Sequence, residues 1–212
     1  MARFRIQAFP VRRNGSSFFG SPTIRIAFPE PSFEFFHALF DPLTRTYTRK
    51  YLYVRLEKEC ARVRRHGDRM AVILIGILSP EGPGHPVRDE IRVAASRVIV
   101  RALRETDLVG RLGPDRFVLV LTATDESGAR TTLARIEERL AAIRSRDAPE
   151  GIHVATGLAL CGKPADVRDA SEVVRRAELD LERSKKALDA ASEAVSLLEH
   201  GLFVRLAEGR LG

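Results

Sequence analysis

Arg104-Glu-Thr-Asp107, five residues, then Gly113-Pro114-Asp115-Arg116-Phe117 joins a charged corner to a tight turn. Leu108 to Leu112 and Phe117 to Leu121 are two short apolar runs on either side of Gly113-Pro114-Asp115. Apolar runs bounded by turn-forming residues read as a β-hairpin. Upstream, Ile91, Ala94, Ala95, Val98, Ile99, Ala102 and Leu103 recur at helical spacing. Arg104 therefore stands at a helix end and Asp107 at a strand start, so a guanidinium and a carboxylate share one corner.

Working outward, alternation between helix and strand patterns continues. Ala71 to Ile75 is an uninterrupted apolar run, the signature of a strand covered on both faces. Before it, Asp41-Pro42 reads as a helix start, a carboxylate cap with proline at the first position. Leu52, Leu56, Cys60 and Val63 then keep one face apolar up to a stop at Gly67. After the hairpin, Leu133, Ile136, Leu140 and Ile143 predict a helix, and Ile152 to Leu160 a strand. Asp169 with Glu172 resembles a capping box. It opens a long helix through Val173, Ala177, Leu181, Ser184, Leu188 and Ala191. Leu202 to Leu206 admits either an edge strand or more helix. The order predicts a single α/β domain, a mixed central sheet flanked by helices with the hairpin on it.

The chain divides into three segments: a Phe/Pro-rich extension over 1–40, the domain over 41–196 and a tail over 197–212. Nine of the eleven phenylalanines lie in the first forty residues. Phe33, Phe36 and Phe40 are spaced for a helix, and Thr23 to Phe28 alternates as a short strand does. This segment is expected to dock on the domain, a partner or a second copy.

Composition removes several function classes. No apolar run approaches the roughly 20 residues of a membrane helix. Met1 to Arg13 lacks the apolar core of a secretory signal. Cys60 and Cys161 are two separate cysteines, which fits a reduced cytoplasm better than a disulfide framework. The five histidines have no zinc-ligand spacing. A formal net charge of +7 favours anionic partners. No nucleic-acid motif accompanies it, so nucleic acid is not expected.

These motifs, in this order, resemble the GGDEF domain of diguanylate cyclases over about residues 41–190. Asp41-Pro-Leu-Thr44 matches the family's DPLT, although Arg45 to Lys50 departs from the family pattern at the adjoining positions. Gly84-His85 with Asp89 matches GHxxGD. Ala177, Leu181 and Lys185 match ADxALYxAK, with Glu178 and Glu182 replacing aspartate and tyrosine. Arg104 and Asp107 match the RxxD that binds cyclic di-GMP as an inhibitor five residues before the signature turn.

The resemblance implies a nucleotide cyclase, palm-like fold. It also implies that the synthetic machinery has departed from the pattern. Gly76 and Leu78 stand at the metal-binding DxD, Pro114 and Arg116 alter the signature turn, and only Asp115 remains there as a carboxylate. The loop from Gly76 to Gly84 is shorter than the family's, and Asp189 replaces an arginine. The expectation is a catalytically inactive domain, not an enzyme, with no cofactor and no Mg²⁺. It would act as a cytoplasmic cyclic di-GMP effector that signals to a protein partner, with homodimers crosslinked by ligand. Guanine's O6 and N7 suit an arginine fork, and its N–H donors suit a carboxylate. Arg104 and Asp107 take those roles, and the family adds an arginine from the helix after the hairpin, here Arg135 or Arg139, on a neighbouring copy. Gly76, Gly113, Pro114, Asp115, Arg116 and Phe117 mark the altered active-site positions. Two alternatives stay open: a nucleotide-independent protein-interaction scaffold, and GTP binding without turnover through Lys185 and Asp89.

Overall fold

A computed structural model describes residues 33–79, 85–144 and 151–208, with side chains described within 36–191. The strand expected over Thr23 to Phe28, most of the Phe/Pro-rich extension and Gly84 lie outside these residues. The elements are α1 (Phe33–Leu39), α2 (Arg49–His66), β1 (Met70–Ile77), α3 (Asp89–Ala102), β2 (Leu108–Gly113), β3 (Arg116–Thr122), α4 (Glu126–Ala141), β4 (Val154–Cys161) and α5 (Ala170–Glu208).

The sheet order is β2-β3-β1-β4, and every strand pair is antiparallel. β1 and β2 both oppose β3, so they run in the same direction, joined through α3. β3 and β4 both oppose β1 and are joined through α4. Two split βαβ units thus interleave, which leaves no parallel neighbours in the four strands. The parallel element of the expected mixed sheet is a single bridge, Tyr47 to Gly110, on the β2 edge.

β1 occupies the middle because all eight of its residues are buried. Its alternate side chains feed two cores. Met70, Val72 and Leu74 pack with Leu52, Leu56, Val173, Ala177 and Leu181 beneath α2 and α5. Ala71, Ile73, Ile75 and Ile77 pack with Ile91, Ile99, Phe117, Leu119, Ile136 and Leu140 beneath α3 and α4. Burial on both faces is why β1 reads as a continuous apolar run. α5 lies so close to β4 that a Cβ at Gly157 would collide with the backbone of Ala177 and Leu181.

One boundary is corrected. Asp41-Pro42 does not start α2. The Asp41 carboxylate accepts from the Thr44 N–H and hydroxyl, each at 2.8 Å, and closes one isolated turn. Arg45 then takes a positive φ of 60°, which a continuing helix does not allow. The α2 cap is Thr48, whose hydroxyl accepts from the Tyr51 N–H, and Gly67 ends the helix at φ 69° as expected. Phe36, Phe40, Tyr47 and Tyr51 form a ring-to-ring ladder, with centroids 4.9, 5.2 and 4.9 Å apart, that ties α1 to α2. At the other end, Leu202 to Leu206 continues α5 as helix. Among the described residues no helix is long and apolar enough to cross a membrane.

Candidate functional site

Two corners collect the residues that the sequence singled out, and they lie at opposite ends of α3. The helix spans 14 residues, so at 1.5 Å per residue the corners are about 20 Å apart.

The first corner is the signature turn. Gly76 of β1 faces Arg116 across the β1–β3 pair, and the Asp115 carbonyl accepts from the Ile77 N–H at 2.8 Å. Asp115 sits on the turn with its Oδ1 2.7 Å from Arg92 Nε, and the same guanidinium reaches Asp89 Oδ1 at 2.6 Å. Arg116 reaches Glu182 Oε1 at 3.1 Å, and Lys185 Nζ lies 3.6 Å from that oxygen. Beneath the turn, Phe117 is wholly buried in the core. Gly76, Asp115, Arg116, Asp89 and Lys185, which the resemblance singled out, therefore lie around one turn. Arg92, which joins both carboxylates, was missed. Its position on the otherwise apolar helical face was the available signal.

Arg111 supports this turn from the other side. Its Nη1 lies 3.1 and 3.2 Å from the two Asp41 oxygens, while Nε and Nη2 donate to the carbonyls of Gly113 and Pro114. Burial acts to raise the Asp41 pKa, but the Thr44 donors and the charge of Arg111 outweigh it and hold the carboxyl below its ordinary value.

The second corner is a hollow of about 380 Å³ between the end of α3 and one side of α4, from Ser127 to Arg139. Arg101 and Arg104 line it from the α3 side, Arg135 and Arg139 from α4, with the hydroxyl residues Ser127, Thr131 and Thr132 between them. None of the residues lining it is acidic. Arg135 donates to the Ala102 carbonyl at 2.6 Å, which fixes its guanidinium against the α3 terminus. Among the described residues, Arg101, Arg104 and Arg139 form no ion pair. Arg104 also borders an adjoining hollow of about 190 Å³ that includes Arg69 and Asp125. Arg104, Arg135 and Arg139 thus meet within one chain, whereas the resemblance placed the second arginine on a neighbouring copy.

Asp107 has a different position. Its Oδ2 accepts from the backbone N–H of Arg104 at 2.9 Å, and its Oδ1 from that of Thr122 at 3.2 Å. Both oxygens are engaged with backbone, and Asp107 is not among the residues lining the hollow. The carboxylate builds the turn that carries Arg104 and ties it to β3.

The thiols add no chemistry. Cys60 and Cys161 are both free and buried. Desolvation pushes the Cys60 pKa up to about 12, so its nucleophilic thiolate is suppressed.

Residues 38–190 match the family described as "Diguanylate cyclase, GGDEF domain". The chain is 29% identical over 152 residues to the probable diguanylate cyclase DgcC of Escherichia coli, covering 69% of this chain and 40% of that protein. It therefore spans well under half of the length of that relative. Among solved structures, the diguanylate cyclase SiaD of Pseudomonas aeruginosa, in complex with its activator SiaC, superposes with a TM-score of 0.62 at 27% identity. That match covers 70% of this chain and 58% of the other. The GGDEF domain of DgcB from Caulobacter crescentus, in complex with c-di-GMP, matches with a TM-score of 0.62 at 25% identity, covering 71% of this chain and 89% of that one.

These relatives correct the expectation that the chain is not an enzyme, because the proteins it resembles are named as diguanylate cyclases. The physical reason lies in the metal chemistry. Counting carboxylates at Gly76 and Arg116 treats a magnesium site as if protein alone supplied its ligands. Mg²⁺ keeps several waters and is bound through one or two carboxylates plus substrate phosphates. Asp115 and Asp89 remain at the turn, both paired with Arg92, and the described residues hold no cluster of three or more metal-ligating side chains.

Proposed function

Since the chain belongs to the GGDEF-domain family of diguanylate cyclases, we propose that it serves cyclic di-GMP signalling by holding the dinucleotide in the arginine hollow. The observation that carries this reading is the meeting of Arg104, Arg135 and Arg139 around a concave surface that contains no acid. A cyclic dinucleotide presents two phosphates and two guanine edges. A guanidinium fork matches a phosphate through two parallel, charge-assisted hydrogen bonds, and it matches guanine O6 and N7 equally well. Arg135 is held in place before any ligand arrives, which lowers the entropy lost on binding. The solved complex of the DgcB GGDEF domain with c-di-GMP supports the choice of ligand.

Charge at the hollow is supplied by side chains, so dinucleotide binding there requires no divalent metal. Occupancy joins the α3 end to α4 and is relayed to a protein partner. The SiaD complex with its activator supports an assembly of that kind.

Isothermal titration calorimetry with cyclic di-GMP, in chelator and with GTP as the control ligand, tests the proposal. Saturable binding of cyclic di-GMP that survives EDTA is expected. Absence of heat with cyclic di-GMP rejects the reading and favours a nucleotide-independent scaffold. Competition between GTP and cyclic di-GMP would move the site to the turn corner.

A further inference from the structure

We propose that Arg101 is a further ligand-binding residue of the hollow, three residues before Arg104, and that it engages a phosphate of the bound dinucleotide. This rests on the reading that the hollow holds such a ligand. The RxxD pattern does not reach Arg101, because the motif begins at Arg104. The fold supplies the connection. Arg101 lies in the last turn of α3 and is exposed. Arg104 follows α3 beyond the extended Leu103, and both Arg101 and Arg104 line the hollow.

What sets Arg101 apart is the set of cations it joins in the hollow. Several exposed arginines elsewhere face acids instead: Arg62 has Glu59 and Asp68, Arg69 has Asp125, and Arg130 has Glu126. In the hollow, Arg101 adds a fourth guanidinium with no acid among the lining residues. Like charges gathered on one concave surface repel one another and attract polyanions. A cyclic dinucleotide carries two singly charged phosphodiesters set apart from each other, so two guanidinium groups can face phosphates while the others remain for the guanine edges. Arg135 is partly engaged by the Ala102 carbonyl, whereas Arg101 and Arg104 on the α3 side form no ion pair among the described residues.

A simpler role exists for a cation at this place. Arginine in the last turn of a helix interacts favourably with the helix dipole. That role makes Arg101→Ala slightly less stable and leaves ligand affinity unchanged. Arg97 lies on the same helix one turn earlier, is exposed, and does not line the hollow, so Arg97→Ala reports the effect of removing one positive charge from α3.

The experiment is calorimetric titration of cyclic di-GMP into wild type, Arg97→Ala, Arg101→Ala and Arg104→Ala of the full chain, with melting temperatures measured with and without ligand. Arg101→Ala is expected to weaken binding about tenfold and to shrink the ligand-induced rise in melting temperature, while Arg97→Ala stays within about twofold of wild type. If Arg101→Ala binds like Arg97→Ala, the inference is overturned and the hollow reading stands on Arg104. If wild type does not bind, both the hollow reading and the role of Arg101 fall together. Should Arg101→Ala lower the melting temperature without changing affinity, the residue is a helix-end cation only.

Discussion

The two ends of α3 carry the same residue type under opposite conditions. At the turn end, Arg92 is held between Asp89 and Asp115, Arg116 faces Glu182, and Arg111 spans Asp41 and two carbonyls. At the other end, Arg101, Arg104 and Arg139 face a hollow with no acid on its lining. A concavity of similar size, about 350 Å³, lies beside the turn between Asp41, Arg111 and Pro114. Size therefore does not distinguish the two regions. What distinguishes them is whether the cations already have partners. An arginine with a carboxylate in hand spends its hydrogen bonds on the fold, and one without keeps them for a ligand.

The sharpest way to break this comparison is to remove a cation from the unpartnered end. Arg104→Ala should reduce cyclic di-GMP affinity about a hundredfold, roughly 2.8 kcal/mol, with the melting temperature nearly unchanged. Calorimetry and thermal melts on the same sample check both. An equal loss in melting temperature would place Arg104 in the fold instead of the site.

Asp107→Ala comes next, and its signature is different. Two backbone N–H groups lose a charged acceptor, which costs about 1–3 kcal/mol. Each kcal/mol lowers the melting temperature of a domain this size by about 2–4 °C. Affinity should fall as well, because the turn carrying Arg104 loosens. Asp107→Asn keeps one acceptor and should recover part of both. An affinity loss with no change in melting temperature would return Asp107 to the ligand.

At the partnered end the expected effect is on stability and depends on pH. The Asp41 pKa is held below its ordinary 3.8. A depressed carboxylate contributes stability above its unfolded pKa and loses that contribution as pH falls through the folded one. Asp41→Asn should be less stable than wild type at pH 7, and the gap should close below about pH 4. Denaturant melts across that window measure it, and a gap that does not narrow as pH falls below about 4 would contradict the ion pair with Arg111. The smallest effect belongs to Asp115→Ala, which should leave cyclic di-GMP affinity within about twofold, read by the same titration.

Much of the fold was legible in the sequence because each buried element repeats at its own period. The eight-residue apolar run at β1 and the 3.6-residue spacing in α2 to α5 reflect which faces meet the cores. The start of α2 was not legible. Asp41-Pro42 carries the local chemistry of a helix cap, but the carboxylate is claimed by Thr44 and Arg111, and Arg111 is distant in sequence. The candidate site divides in the same way. The resemblance to the family pointed to Arg104, Arg135 and Arg139, and the fold brings the three to one hollow. The resemblance also assigned Asp107 to the ligand, because a sequence shows that a carboxylate is present, not which donors it meets. Arg92 escaped for the converse reason, as an ion bridge between a helix and a turn has no sequence period. The expectation of a non-enzyme came from counting missing side chains one position at a time, whereas residues 38–190 as a whole match the diguanylate cyclase GGDEF family.

The most direct test of the central claim is residue-resolved. Backbone amide signals of the isotope-labelled protein are followed by NMR while cyclic di-GMP is added without divalent metal. The largest shifts are expected at Arg101, Arg104, Gly128, Thr131 and Arg135, with Gly113 to Phe117 nearly still. Shifts concentrated at Gly113 to Phe117 and Asp89, with the α3–α4 hollow silent, would contradict the account.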